Sequence, residues 1–101
     1  GDSAPARLRD AHEAGVRLAV LTNKPIGATR AILEGLHLAP YFGDRVLGGD
    51  GPLPRKPDPA GLSELIARAG AASAGTLMVG DSLVDFQTAR AAGVSAAMAA
   101  Y

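Results

Sequence analysis

Short apolar runs alternate with helix-like segments along this chain, and that order leaves few architectures open. A strand followed by a crossover helix meets the next strand in parallel, and parallel sheets are covered on both faces. Ser3 and Pro5 signal a helix start, "ARLRDAHEA" continues it, and Gly15 supplies the stop before "VRLAVL", which reads as a buried strand. Pro25 opens the helical "IGATRAILEG", and "DRVLGG" follows as a weaker strand. Asp58 and Pro59 begin "AGLSELIARAG", which ends at Gly70. "TLMVG" is then a strand, "SLVDFQTARAAG" a helix, and "VSAAMAA" a last strand of small residues. Two stretches, "AHEAGVRLAVLT" and "ARAAGVSAAMAA", repeat the order helix, Ala-Gly-Val, strand. The pattern predicts a layered α/β fold around a parallel sheet.

The length of 101 residues predicts one compact unit with a single core. Ten basic residues balance ten acidic ones. No basic stripe is available to neutralise a phosphate backbone, so nucleic acid and anionic membrane are excluded as expected partners. No apolar run reaches the roughly 18 to 20 residues needed to span a bilayer, and the N-terminus lacks signal-peptide character. Cysteine is absent, which removes disulfides, thiolate metal sites and a cysteine nucleophile, and fits a cytoplasmic setting. The chain starts at Gly1 rather than methionine and stops at Tyr101 just after an apolar stretch, so it reads as a piece of something longer.

Ligands of open α/β sheets sit beyond the carboxyl ends of the strands, where helix N-termini gather. Three polar clusters fall there. In "LTNKP", Thr22 and Asn23 offer short hydrogen-bonding side chains, Lys24 is cationic, and Pro25 starts a helix whose free N–H groups face the same place, a turn suited to phosphate or to plain helix initiation. In "RKPDP", two prolines would hold Lys56 on an extended segment leading into a helix; Arg55 reads as a solvent contact and Asp58 as a cap. In "GDSLVD", Asp81 ends a strand and Asp85 lies one helical turn later, so both carboxylates can face one point. Two clustered acids can share a magnesium ion, or Asp81 or Ser82 can cap the helix while Asp85 complements its dipole. His12 and His37 lack partners at metal-ligand spacing, and Gly48, Gly49 and Gly51 read as turn residues, since the Walker spacing is absent.

Taken in order, "LTNKP", "RKPDP" and "VGDSLVDFQTARAAG" resemble the haloacid dehalogenase-like superfamily, most closely its phosphoglycolate phosphatase branch. The resemblance covers nearly the whole chain, including "AGVRLAVLTNK", "LGGD" and "KPDPAGL". It implies a Rossmann-like parallel sheet with helices on both faces. It also implies a magnesium-dependent phosphomonoester hydrolase acting on a small phosphorylated metabolite, 2-phosphoglycolate, through an aspartyl-phosphate. By matching position, Thr22 and Asn23 would bind the phosphate, Lys56 would neutralise its charge in a catalytic role, and Asp81 would ligate Mg2+, supported by Asp85 directly or through water.

The family opens with a strand ending in Asp-x-Asp, whose first aspartate is the nucleophile and whose second is the acid and base. No Asp-x-Asp occurs in these residues. Residues 1–101 therefore resemble the C-terminal portion of the core domain, without the first, central strand and without the cap that contributes substrate selection. That strand would lie between those ending at Thr22 and Gly80, so unpaired backbone, modest stability and an inactive isolated chain are expected. A rival expectation is a non-catalytic phosphate- or magnesium-binding module that needs a partner segment. A receiver-type signalling domain fits less well, because Lys56 precedes Asp81. Oligomeric state is not legible.

Overall fold

The computed structural model describes residues 4–98, so Ser3 and the closing residues 99–101 lie outside the described residues. Elements follow the expected order: α1 (Ala4–Glu13), β1 (Val20–Leu21), α2 (Ile26–Gly35), α3 (Ala39–Phe42), β2 (Val46–Leu47), α4 (Ala60–Arg68), β3 (Leu77–Gly80), α5 (Leu83–Ala92) and β4 (Ser95–Met98). A 3-10 turn, Ser73–Gly75, precedes β3. Gly15, Gly70 and Gly93 take φ of 89°, 64° and 71°, the left-handed stops that glycine makes without a Cβ clash. The short α3 was not legible, since four residues with a proline in the first turn are too few to show a period.

All pairing is parallel, as expected. Val20 and Leu21 lie opposite Val46 and Leu47, and β3 pairs with β4 from Leu77 opposite Ser95 to Gly80 opposite Met98. The strands nevertheless form two pairs rather than one sheet, because no ladder joins β1 to β3 among the described residues. The run "VRLAVL" accordingly shrinks to a two-residue strand. Val20 donates to the Arg45 carbonyl at 2.9 Å and Thr22 to that of Leu47 at 3.1 Å. Strand alternation then turns the Ala19 and Leu21 N–H groups to the other edge.

That edge faces a cleft of about 1130 Å³, with β3 on its far side and Leu8 of α1 and Leu62, Leu65 and Ile66 of α4 also in its lining. It lies between Thr22 and Gly80, where the resemblance implies a further, central strand. Several side chains of the apolar runs consequently remain open rather than buried, with Val16, Leu77 and Val79 being 52%, 58% and 62% exposed. The single expected core is likewise divided. Leu33, Leu38, Phe42 and Val46 form one cluster, and Leu62, Ala89 and Val94 form another. Each fully buried aliphatic side chain of this size contributes roughly 1.5 to 3 kcal/mol. Leu21 and α4 bind the two clusters together: Leu21 packs into the second from β1, and α4 touches both β2 and α5. Gly61 permits this, because a Cβ there would stand 2.8 Å from Leu21 Cδ1.

The open edge has a direct signature. In hydrogen-exchange NMR the amides of Ala19 and Leu21 are expected to exchange at least about tenfold faster than those of Val20 and Thr22, as unbonded edge groups do. Equal protection along the run would show that the edge is paired after all.

Candidate functional site

The carboxyl ends of β1 and β3 and the loop after β2 converge at one end of the cleft, whose lining includes Thr22, Lys56, Asp81 and Asp85. Each of the three polar clusters thus reaches a common place. The contacts among them differ from what spacing alone suggests.

Lys56 and Asp85 form the centre. Lys56 Nζ donates to Asp85 Oδ1 at 2.6 Å, with the two side chains only 13% and 9% exposed. The other oxygen, Asp85 Oδ2, accepts the Asp81 backbone N–H at 3.1 Å and the Ser82 hydroxyl at 3.2 Å. Asp85 sits at the third position of α5, and from there its side chain folds back over the helix start as the acidic member of a capping box does. The alternative of a side-chain cap is not met at Ser82, which holds the N-cap position without a side-chain cap bond. Gly80 makes the fold-back possible: a Cβ on it would lie 2.3 Å from Asp85 Cβ.

Burial works to raise the pKa of Asp85, but the hydrogen bond and charge of Lys56, with the Asp81 N–H and Ser82 hydroxyl, outweigh it and hold the pKa below the usual carboxylate value. Asp81 is in the opposite condition. Its carboxylate is exposed and has no hydrogen bond or ion pair to any described residue, which leaves it free to take a ligand. With both Asp85 oxygens engaged, the two acids serve different ends, and the free carboxylate is that of Asp81.

Lys56 is held by its backbone as well. Asn23 Oδ1 accepts the Lys56 N–H at 2.9 Å, and Asn23 Nδ2 donates to the Lys56 carbonyl at 3.1 Å. Asn23 thus spends most of its amide on Lys56, a role its place in "LTNKP" does not disclose. The segment around Lys56 is a turn rather than the extended stretch expected from the prolines, closed by Asp58 N–H to the Arg55 carbonyl at 3.0 Å. The N-cap position of α4 falls to Pro59 rather than Asp58, but the Asp58 carboxylate still accepts the Ala60 N–H at 2.8 Å. Arg55 is not a mere solvent contact, since its Nε donates to the Gly49 carbonyl at 2.8 Å.

Thr22 Oγ1 accepts the Lys24 N–H at 3.1 Å, which leaves its hydroxyl proton to donate elsewhere. An ammonium carries three donors, and one of Lys56's is used by Asp85. The Thr22 hydroxyl and the remaining Lys56 donors are therefore left available at the cleft end. The expected help from the start of α2 is reduced, because its first N–H, that of Ile26, is already bonded to Asp50 Oδ1 at 3.0 Å.

Among the described residues no cluster of three or more His, Cys, Asp or Glu could hold a metal by itself, and no helix is long and apolar enough to cross a membrane. Magnesium needs no such cluster, since it keeps several waters and uses one or two carboxylates plus a substrate phosphate. The Asp81 carboxylate, on the same cleft as the Thr22 hydroxyl and the Lys56 ammonium, fits that demand.

Comparison with known proteins gives a consistent picture. The model of the haloacid dehalogenase-like hydrolase family matches residues 2–93. Phosphoglycolate phosphatase of Rhodospirillum rubrum is 52% identical over 87 residues, which make up 86% of this chain and 36% of that protein. Phosphoglycolate phosphatase of Cereibacter sphaeroides is 45% identical over 95 residues, 94% of this chain and 42% of that protein. A crystal structure of a haloacid dehalogenase-superfamily hydrolase from Geobacter sulfurreducens shares 32% identity and a TM-score of 0.77, covering 88% of this chain and 47% of that one. The chain spans less than half the length of these relatives.

The buried pair makes stability acid-sensitive. Because the folded-state pKa of Asp85 is depressed, its contribution is complete above the unfolded carboxylate value and is lost as pH falls through the folded one. Asp85→Asn, which strands the Lys56 charge, should cost roughly 3 kcal/mol at neutral pH and flatten this acid limb. Urea titrations in chelator-treated buffer at several pH values check both effects, and an unchanged acid limb in the variant would refute the assignment. Gly80→Ala should likewise cost about 1 to 3 kcal/mol by forcing Asp85 away, measurable in the same titration.

Proposed function

Because the chain belongs to the haloacid dehalogenase-like hydrolase family, we propose that it carries the phosphate-binding and metal-binding part of a magnesium-dependent phosphomonoester hydrolase acting on 2-phosphoglycolate. The observation that carries this reading is the Lys56 ammonium, fixed by Asp85 at 2.6 Å where the ends of β1 and β3 meet, beside the Thr22 hydroxyl. A cation held in that way is preorganised for the charge of a transferring phosphoryl group. Thr22 donates a hydrogen bond to a phosphate oxygen, Lys56 offsets its charge, and Asn23 keeps Lys56 in place.

Asp81 would hold Mg2+, and Asp85 supports it by fixing the Asp81 backbone. When bound, the metal would neutralise charge on the phosphate. In this reading the nucleophile, an aspartate that forms the aspartyl-phosphate, belongs to an Asp-x-Asp segment that residues 1–101 do not contain. The chain alone is thus inactive but competent to bind, and its setting is the cytoplasm, with no nucleic acid or membrane partner.

The cleft favours a second reading. Two open strand edges, with exposed apolar side chains at Leu77 and Val79 of β3 and at Val16 ahead of β1, suit a binding module completed by a partner segment rather than an enzyme in its own right.

Titration with inorganic phosphate in the presence of magnesium, followed by NMR, tests the binding step. Thr22 and Lys56 signals are expected to shift, and Lys56→Ala should weaken binding at least about tenfold, the scale of one charge-assisted hydrogen bond. Phosphate release from 2-phosphoglycolate separates the two readings. Release after mixing the chain with a segment bearing the Asp-x-Asp strand, absent with Asp81→Ala, supports the hydrolase; binding of both phosphate and segment without turnover supports the module. If phosphate moves no signal, both fail.

A further inference from the structure

The loop after β2 carries Lys56, and it is clasped to the turn after β1 by a short segment, Gly48-Gly49-Asp50, to which the site chemistry above gives no role. Gly49 N–H donates to the Lys24 carbonyl at 2.7 Å. The backbones approach so closely that a Cβ on Gly49 would stand 2.0 Å from the Asn23 carbonyl oxygen, and one on Gly48 would stand 2.5 Å from the Ile26 nitrogen. Asp50 closes the clasp by accepting the Ile26 N–H at 3.0 Å, across 24 residues of sequence. Pro25, which precedes α2, contributes no side-chain cap of its own. Arg55 braces the far side by donating to the Gly49 carbonyl at 2.8 Å.

We infer that Asp50 is a positioning residue that sets Lys56 through Asn23. The turn that Asp50 grips at Ile26 is the one that carries Asn23, and Asn23 fixes both backbone polar groups of Lys56. Releasing Asp50 frees the start of α2 to move away from the loop. The Asn23 amide then no longer meets Lys56 from both sides, and the ammonium loses its aim while its partner Asp85 stays in place on α5. The consequence for an anion rests on the phosphate-binding reading above; the consequence for Lys56 does not.

The test uses the 15N-labelled 101-residue chain with Asp50→Ala and Asp50→Asn, with inorganic phosphate as the probe. In Asp50→Ala, the Lys56 amide and the Asn23 side-chain amide signals should shift, and Lys56 amide exchange should rise about tenfold, as expected for loss of a single hydrogen bond, while the amides of Ala89 and Val94 in the other core keep their protection. Phosphate affinity should fall by a similar factor. Asp50→Asn keeps an acceptor oxygen and should restore all of these values, which a general loss of stability or of surface charge would not explain. The inference is overturned if Asp50→Ala folds with Lys56 and Asn23 unchanged, or if Asp50→Asn disturbs them as much as alanine does. Should the alanine variant not fold, the asparagine variant decides alone: native Lys56 and Asn23 signals uphold the role and altered ones refute it. Phosphate that leaves the unsubstituted chain unmoved refutes the phosphate reading, and Lys56 exchange still judges Asp50.

Discussion

The contact between Lys56 and Asp85 joins parts of the chain that share no backbone ladder. Lys56 belongs to the loop after β2, and Asp85 to the helix after β3, so one 2.6 Å contact spans the end of the cleft that separates the two strand pairs. Taking both charges out of water is costly, and attraction alone often fails to offset it. Here the carboxylate also accepts the Asp81 N–H and the Ser82 hydroxyl, and it is this set of three donors that keeps it ionised in a buried place. The pair is better understood as fixing a geometry than as a large source of stability.

Everything near the pair follows from keeping it in register. Gly80 has no side chain because Asp85 occupies that space, and Asn23 spends its amide on the Lys56 backbone because a flexible lysine needs an anchor. Asp81 is the exception, with an exposed carboxylate that no described residue holds. Two acids four residues apart have therefore been given separate places: one organises the interior of the site, and the other faces solvent.

The sequence disclosed the places more readily than the partners. Thr22 and Asp81 follow strands and Asp85 lies one turn into the next helix, so their gathering at one rim was legible, Lys56 was reached through its loop motif, and all four do line one cleft. Which acid would fold back was not legible, since spacing puts both on a common side and only the room left by Gly80 decides. Asn23 was legible as a polar residue at a strand end, but that its side-chain amide grips the Lys56 backbone was not. The turn at Lys56 and the work of Arg55 and Asp50 depend on contacts between distant loops, which no local pattern encodes. Helix limits survived well, from Ile26–Gly35 to Leu83–Ala92, because glycine and proline act locally; β1 did not, because a strand is defined by its neighbour.

The placing of the site on the seam between two cores gives it a thermodynamic hold on the whole chain. Thr22 comes to the seam from one half and Asp85, through Lys56, from the other, so neither half alone offers the same groups. Binding is then linked to folding: ligand free energy adds to the native state and not to the unfolded one, in proportion to the logarithm of its concentration above the dissociation constant. The fraction of chains that are folded, and so their lifetime against proteases, would rise with the concentration of any ligand that engages both halves at this seam.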